Sequence, residues 1–354
     1  MKAWVLHGAK DIRFEEVDRP HPAEDEVIVA VRAAGICGSD IPRIYQTGAH
    51  VHPLIPGHEF SGQVVALGSR VSEKWRSQRV GIFPLIPCRN CVACETQHYE
   101  LCRSYSYLGS RRDGGFASYA AVPEWNLIAL PDNVTYEQAA MMEPMAVAVH
   151  AMRSALDGSK DRAKTIAVCG LGTIGMLLVM FLREAGYTNL YVLGNKEYQR
   201  KMAAAIGVAQ DHIYQDGSVS ARDWLTAQTK GIGVDVFFEC VGKNETISDA
   251  VTCSAPNGVV QLVGNPASDM LFDQNTYWKI LRNQLTVKGS WNSSFTHSAD
   301  DDWQYVLDRL RCGRIKPQQC ITHRFALDAL EKGFAIMRDK TEPYMKVMQT
   351  DTGE

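Results

Sequence analysis

The stretch Lys164-Thr165-Ile166-Ala167-Val168-Cys169-Gly170-Leu171-Gly172-Thr173-Ile174-Gly175 runs from an apolar strand through a glycine turn into a helix. Gly170 permits the tight turn. Gly172 lets a pyrophosphate approach the backbone, and Gly175 lets helix and strand pack closely. Thr173 and Ile174 open the helix, whose N-terminal amides and dipole favour an anion. Three glycines at this spacing are a weak signal by themselves. At a strand–turn–helix junction they read as a dinucleotide site.

Downstream the same rhythm continues. Residues 189–193 read as a strand, 197–206 as a helix, and 234–238, 258–263 and 285–290 as further strands. Such β-α alternation implies a parallel, doubly wound sheet. Upstream the pattern differs. The first 145 or so residues carry the short apolar run Val27-Ile28-Val29-Ala30-Val31 and turn signals at Pro53, Pro56, Gly57, Gly62, Gly68, Gly81, Pro84 and Pro87. Short strands between such turns suggest an antiparallel, barrel-like domain. Residues 139–153 read as one helix at the junction. The tail reads as helices at 303–310 and 327–338 with a closing strand at 345–348. We therefore expect one domain from residues 1–148 and 290–354, with the second, 149–289, inserted into it.

Composition bounds the partners. The 354 residues are 45% hydrophobic and 22% charged, with a net charge of -3, ordinary for a two-domain globular enzyme. No basic excess points to nucleic acid or an anionic membrane. The N-terminus meets charges at once and lacks a signal-peptide core, and the apolar run 176–182 is far short of a membrane span. A cytoplasmic protein is expected.

Ten cysteines in a long chain without a secretion signal favour metal or catalytic use over disulfides. Cys88, Cys91, Cys94 and Cys102 form a Cys-x2-Cys-x2-Cys-x7-Cys run. Four thiolates make a closed tetrahedral zinc shell with no position for water, so this lobe, about 87–103, reads as a structural zinc site. A second set is dispersed: Cys37 in Cys-Gly-Ser-Asp, His58 in Gly-His-Glu, and Glu143 in Glu-Pro. One thiolate, one imidazole and one carboxylate suit a catalytic zinc with an open position. Singly, each also reads as a buried thiol, a core histidine or a helix-start carboxylate, and spacing does not join them.

The order of these motifs, ending in the dinucleotide glycines, resembles the zinc-containing medium-chain dehydrogenases over nearly the whole chain. Within that family, Ser39-Asp40-Ile41-Pro42-Arg43-Ile44, Gly48-Ala49-His50, the segment from Gly109 to Phe116, Lys279-Ile280-Leu281-Arg282 and Gly289-Ser290-Trp291 look most like the galactitol-1-phosphate 5-dehydrogenases and related polyol-phosphate dehydrogenases. The resemblance implies a GroES-like, partly open β-barrel catalytic domain with an inserted Rossmann sheet. It also implies two zinc ions per subunit and a homodimer or homotetramer. It assigns Cys37, His58 and Glu143 to the catalytic zinc, with Glu59 in or beside the shell. Asp40 would orient His58, and Ser39 would accept the alcohol proton. The relay histidine that many relatives carry is Pro42 here, leaving a water chain or His50 to replace it.

The cofactor reading turns on Val192-Leu193-Gly194-Asn195-Lys196. An NAD site should place an acid at Gly194. A glycine there, with Lys196 and Arg200 following, suits a 2′-phosphate and favours NADP over NAD. Arg43, His50, Arg111, Arg112, Lys279, Arg282 and Trp291 are candidates for recognising a sugar-alcohol phosphate. For the Arg111-Arg112 pair a salt-bridged loop or a dimer contact is an equal reading. Ribitol-5-phosphate dehydrogenases also resemble this stretch. A non-catalytic zinc and nucleotide-binding protein is the rival class, and the intact Cys37, His58 and Glu143 set argues against it.

Overall fold

The computed structural model describes residues 1–351 apart from Asp157, Asp216 and Ala267. Positions 352–354, where the sequence reading closes the outer domain, lie outside the described residues. The chain forms two compact units: Met1–Ala146 with Ser294–Glu354, and Val147–Ser293.

The second unit is built on a five-stranded parallel sheet. Its order is Leu190–Leu193, Ile166–Cys169, Val234–Glu239, Ser254–Leu262, Thr286–Gly289. Both Ile166–Cys169 and Leu190–Leu193 are buried at every residue, which is why they are apolar runs rather than alternating patterns. A single parallel bridge from Val192 to Ile213 extends the sheet by one residue at its outer edge. Counting that bridge, the strand order becomes 3-2-1-4-5-6, the doubly wound order that binds ligands at the carboxyl ends of the central strands. Helix Thr173–Glu184 packs a continuous buried face, Gly175 to Leu182, as its apolar sequence requires. The opposite edge strand, Thr286–Gly289, is largely exposed.

The first unit holds a seven-stranded sheet in the order Ile321–Phe325, Lys346–Thr350, Glu26–Ile36, Glu59–Leu67, Arg79–Ile82, Leu127–Ala129, with Tyr119–Pro123 also paired to Glu26–Ile36. All pairs are antiparallel except the first. Trp4, Phe116 and Phe334 meet edge-on and tilted in its core. The expected helix 139–153 is two helices, Tyr136–Ala140 and Met142–Leu156. A capping box from Thr135 and Gln138 starts the first one. Glu143 stands in the first turn of the second, where a carboxylate complements the helix dipole and a following proline is tolerated. Among the described residues no helix is long and apolar enough to cross a membrane.

Candidate metal centres and dinucleotide site

Strand pairing assembles the dispersed site. Cys37 follows the end of Glu26–Ile36, and His58 precedes Glu59–Leu67; the antiparallel register sets Gly35 opposite Glu59. The register has a steric condition. A Cβ on residue 35 would stand 2.2 Å from Glu59 Oε2, so only glycine leaves room for that carboxylate. Ligand atoms of Cys37, His58 and Glu59 all lie within 4.8 Å of one another. Glu143 is not among the three: its Oε1 accepts a hydrogen bond from Tyr107 Oη at 3.1 Å. The Tyr107 ring meets His58 edge-on, with centroids 5.8 Å apart.

The surroundings are charged and buried. Asp40 Oδ2 accepts from the Cys37 amide at 3.0 Å, and its Oδ1 lies 2.5 Å from Arg43 Nη1. The same Oδ1 is 3.4 Å from His58 Nδ1, close enough to attract but too poorly aligned for a hydrogen bond. Burial would push the His58 imidazole down, yet Asp40 and Cys37 together hold it well above its ordinary value. For Asp40, burial pushes up and is outweighed by His58 and Arg43, so it sits below the usual carboxylate range. Burial, with Glu59 adding to it, raises Glu143 to about 7. Lys346 Nζ reaches Glu59 Oε2 at 2.5 Å and the Ile36 carbonyl at 3.1 Å. A thiol, an imidazole and a carboxyl group converging in a buried pocket fit an open zinc site. A dication would offset both the burial and the Glu59 repulsion that raise Glu143.

The cysteine lobe is a different construction. Sulfur separations are 3.6 Å for Cys91–Cys94, 3.9 Å for Cys88–Cys94 and 3.9 Å for Cys91–Cys102. Tetrahedral bonds of zinc to sulfur imply a separation of about 3.8 Å. All four thiols are free of disulfides. The amide of Cys88 points at Cys102 Sγ at 3.3 Å, and amides of Arg103 and Cys94 draw the Cys91 thiol down to about 6. The donor set fits a closed zinc shell.

At the dinucleotide turn Gly170 has φ +93°, and a side chain there would strike Val241. Nothing stands near a Cβ built on Gly172, so its face is open for a ligand, whereas one on Gly175 would lie 1.8 Å from the Gly170 carbonyl. Gly194 follows the buried strand, and Arg200 Nη1 donates to its carbonyl at 3.2 Å. Asn195 and Lys196 are exposed, with Lys196 Nζ 5.9 Å from the Tyr198 ring.

The substrate candidates are divided between the two units. Arg43 is committed to Asp40, and Arg112 pairs with Glu26. Arg111 stacks over Tyr105 at 4.4 Å, and His50 is exposed. Lys279 and Arg282 lie on helix Gln274–Arg282 of the second unit, where Arg282 stacks on Trp278, and Trp291 is half exposed. Ser39 sits at the N-cap of the short helix Asp40–Pro42 without capping it, which keeps its hydroxyl uncommitted to that helix end. Two residues of the centre, Tyr107 and Lys346, escaped the sequence reading. A lysine inside the apolar closing strand was the signal for one; Tyr107 gave none.

Residues 23–132 match the alcohol dehydrogenase GroES-like domain, and residues 173–311 match the zinc-binding dehydrogenase model. The chain is 32% identical over 306 residues to galactitol 1-phosphate 5-dehydrogenase of Escherichia coli K12, covering 86% of this chain and 87% of the relative. It belongs to the zinc-dependent medium-chain dehydrogenases. It is an oxidoreductase acting on CH–OH groups, with the GroES-like and Rossmann-type parts of that fold. The crystal structure of galactitol-1-phosphate dehydrogenase from Escherichia coli superposes with a TM-score of 0.91 at 31% identity, covering 99% of this chain and 100% of that one. An NADP-bound zinc-binding dehydrogenase from Sinorhizobium meliloti 1021 gives 0.88 at 28%, with 99% of each chain covered. An alcohol dehydrogenase from Escherichia coli CFT073 in complex with NADH gives 0.88 at 26%, also with 99% of each covered.

Proposed function

We propose that this dehydrogenase oxidises a secondary hydroxyl of a polyol or sugar-alcohol phosphate, of the galactitol 1-phosphate class, with NADP preferred over NAD. The observation that carries the reading is the convergence of Cys37, His58 and Glu59 beside Asp40 and Glu143. These three side chains hold the catalytic zinc, and Glu143 stands next to them on Tyr107. The four-cysteine lobe holds a second, structural zinc. When bound, zinc favours ionisation of the substrate hydroxyl, and the nicotinamide accepts the hydride. Asp40, 3.4 Å from His58 Nδ1, would attract that side of the ring and leave Nε2 as the nitrogen available to a metal. Ser39 accepts the hydroxyl proton, and with proline at residue 42 that proton leaves through water or His50.

The open face of Gly172 and the helix N-terminus after it suit the pyrophosphate. Gly194 with the exposed Lys196 supports a 2′-phosphate. The exposed edge strand Thr286–Gly289, with Tyr277, Trp278 and Leu281 exposed on the neighbouring helix, supports a homo-oligomer joined along that edge. Lys279, Arg282 and Trp291 are then as well suited to that interface as to substrate. Ten free thiols support a cytoplasmic location.

The test is a panel of polyols with and without phosphate, run with NAD and NADP separately. The expected result is a higher kcat/KM for the phosphorylated substrate. Lys196→Ala should raise KM for NADP about tenfold and leave NAD unchanged. Equal kcat/KM for free and phosphorylated polyols removes the phosphate assignment. Absence of metal-dependent turnover across the panel removes the reading itself.

A further inference from the structure

Every residue of the strand Lys346–Thr350 is buried, including its first. A lysine there gives up hydration, so the fold must supply partners for its ammonium. It supplies two, Glu59 Oε2 at 2.5 Å and the Ile36 carbonyl at 3.1 Å. Ile36 adjoins Cys37 and Glu59 adjoins His58. One ammonium thus ties together the two chain segments that carry the converging ligands. Gly35 closes the other side of the same oxygen, since no side chain fits between its backbone and Glu59 Oε2. That oxygen is committed to Lys346, and Oε1 is the one left for a cation.

The charges lead to the same residue. With zinc bound, a donor set of one thiol and two carboxyl groups, Cys37, Glu59 and Glu143, would bring up to three negative charges against two from the ion. The charge of Asp40 is already matched by Arg43 at 2.5 Å. Among the described residues, the ionisable groups facing Lys346 are Glu59, Cys37, Glu143 and the buried thiol of Cys320, none of them a second cation. We propose that Lys346 is a positioning residue of the reaction: it restricts Glu59 to one oxygen toward the metal and supplies the positive charge that makes the loaded centre neutral. Negative charge developing on the substrate oxygen then meets a neutral centre rather than an anionic one, which favours its formation. This inference rests on the zinc reading proposed above.

The test uses the full-length protein with cobalt(II) at the catalytic site. Lys346→Met, Lys346→Arg and the double variant Lys346→Met with Glu59→Gln are compared. Lys346→Met should retain two metal ions per subunit. Freed Oε2 should turn toward the ion, raise the coordination number and weaken the cobalt d–d absorption. The ionisation governing kcat/KM should move up by about one pH unit, the usual effect of removing one nearby opposite charge. Lys346→Arg should keep the wild-type spectrum and pH limb. The double variant, which removes one charge of each sign, should return the limb toward wild type.

A wild-type spectrum and pH limb in Lys346→Met overturn the proposal, as does a double variant no closer to wild type than the single one. Should Lys346→Met fail to fold, Glu59→Gln alone decides. It leaves the ammonium unbalanced and should move the limb down by about one unit; an unmoved limb overturns the proposal. Should the wild-type protein bind no metal that Cys37→Ser removes, the zinc reading has failed and not the role of Lys346 alone.

Discussion

The two candidate metal centres of this enzyme are assembled by opposite means. The four-cysteine lobe gathers its ligands from one run of fifteen positions, Cys88 to Cys102, and its sulfurs come within 3.6 to 3.9 Å through local turns. The open centre gathers Cys37, His58, Glu59 and Lys346 by strand register, and Glu143 and Tyr107 from a helix and a separate hairpin, across most of the outer unit. Local assembly depends on the metal to hold the turns together. Long-range assembly depends on the sheet, and the metal arrives at a place the sheet has already built. The first centre should therefore couple to stability and the second to chemistry.

The strongest way to break that contrast is Cys37→Ser. It should lower kcat by about a thousandfold or more while leaving the thermal midpoint nearly unchanged, because the sheet and not the ion holds the site. Metal analysis should show one ion lost and one kept. Cys91→Ser is the reciprocal experiment. It should release the lobe ion and lower Tm by roughly 10 °C, with activity falling only as the lobe loosens. A Cys37 variant that melts early, or a Cys91 variant that does not, would remove the distinction between the two centres.

The same contrast governs what the sequence discloses. The lobe is legible because its chemistry needs nothing beyond spacing. So is the glycine turn, since each of its three positions answers to a local demand: a positive φ, an open face, a close approach. The buried strands of the second unit are legible as continuous apolar runs. Its polar helices Ala221–Gln228 and Asn244–Thr252 were not, because their buried faces are only a few residues wide, although Ser220 caps the first. At the open centre the residue types were readable but not their arrangement. Which carboxylate turns to Cys37 and His58 depends on Gly35 standing opposite Glu59, a fact of register. Lys346 stands out in the chain as a lysine inside an apolar strand, but which group it pairs with is again a fact of register.

A third prediction sharpens the comparison through protons. In the metal-free protein both His58 and Glu143 have folded-state values raised above the ordinary ones, Glu143 to about 7. Each group therefore binds a proton more tightly folded than unfolded, so the stability that these two groups contribute to the metal-free protein is fully present in acid and is lost as pH climbs, for Glu143 from the ordinary carboxylate range through about 7 and for His58 above its ordinary value. Zinc must displace the His58 proton, and its charge would oppose the one on Glu143. Its affinity for the open centre should rise by about tenfold or more per pH unit across the window from about pH 5 to 8. The lobe should respond differently, because its thiols are spread apart: Cys91 is drawn down to about 6, while burial pushes Cys94 up to about 12, so zinc must still displace a proton from Cys94 throughout the window and beyond it. Competitive chelation of the two ions at pH 6, 7 and 8 measures both slopes, and parallel slopes would contradict the contrast.

The smallest expected effect belongs to Tyr107→Phe. The ring would keep its edge on His58, and only the hydroxyl that donates to Glu143 would be lost. One neutral donor to a carboxylate is worth about 1 kcal/mol, or roughly fivefold. Because that hydrogen bond holds the Glu143 value down against burial, its loss should push Glu143 further up and move the acid limb of zinc binding to higher pH by less than a full unit. The folded midpoint should not change by comparison. If instead Tyr107→Phe lowers Tm and leaves zinc binding alone, Tyr107 packs the sheet, and Glu143 finds its place through helix Met142–Leu156 without it.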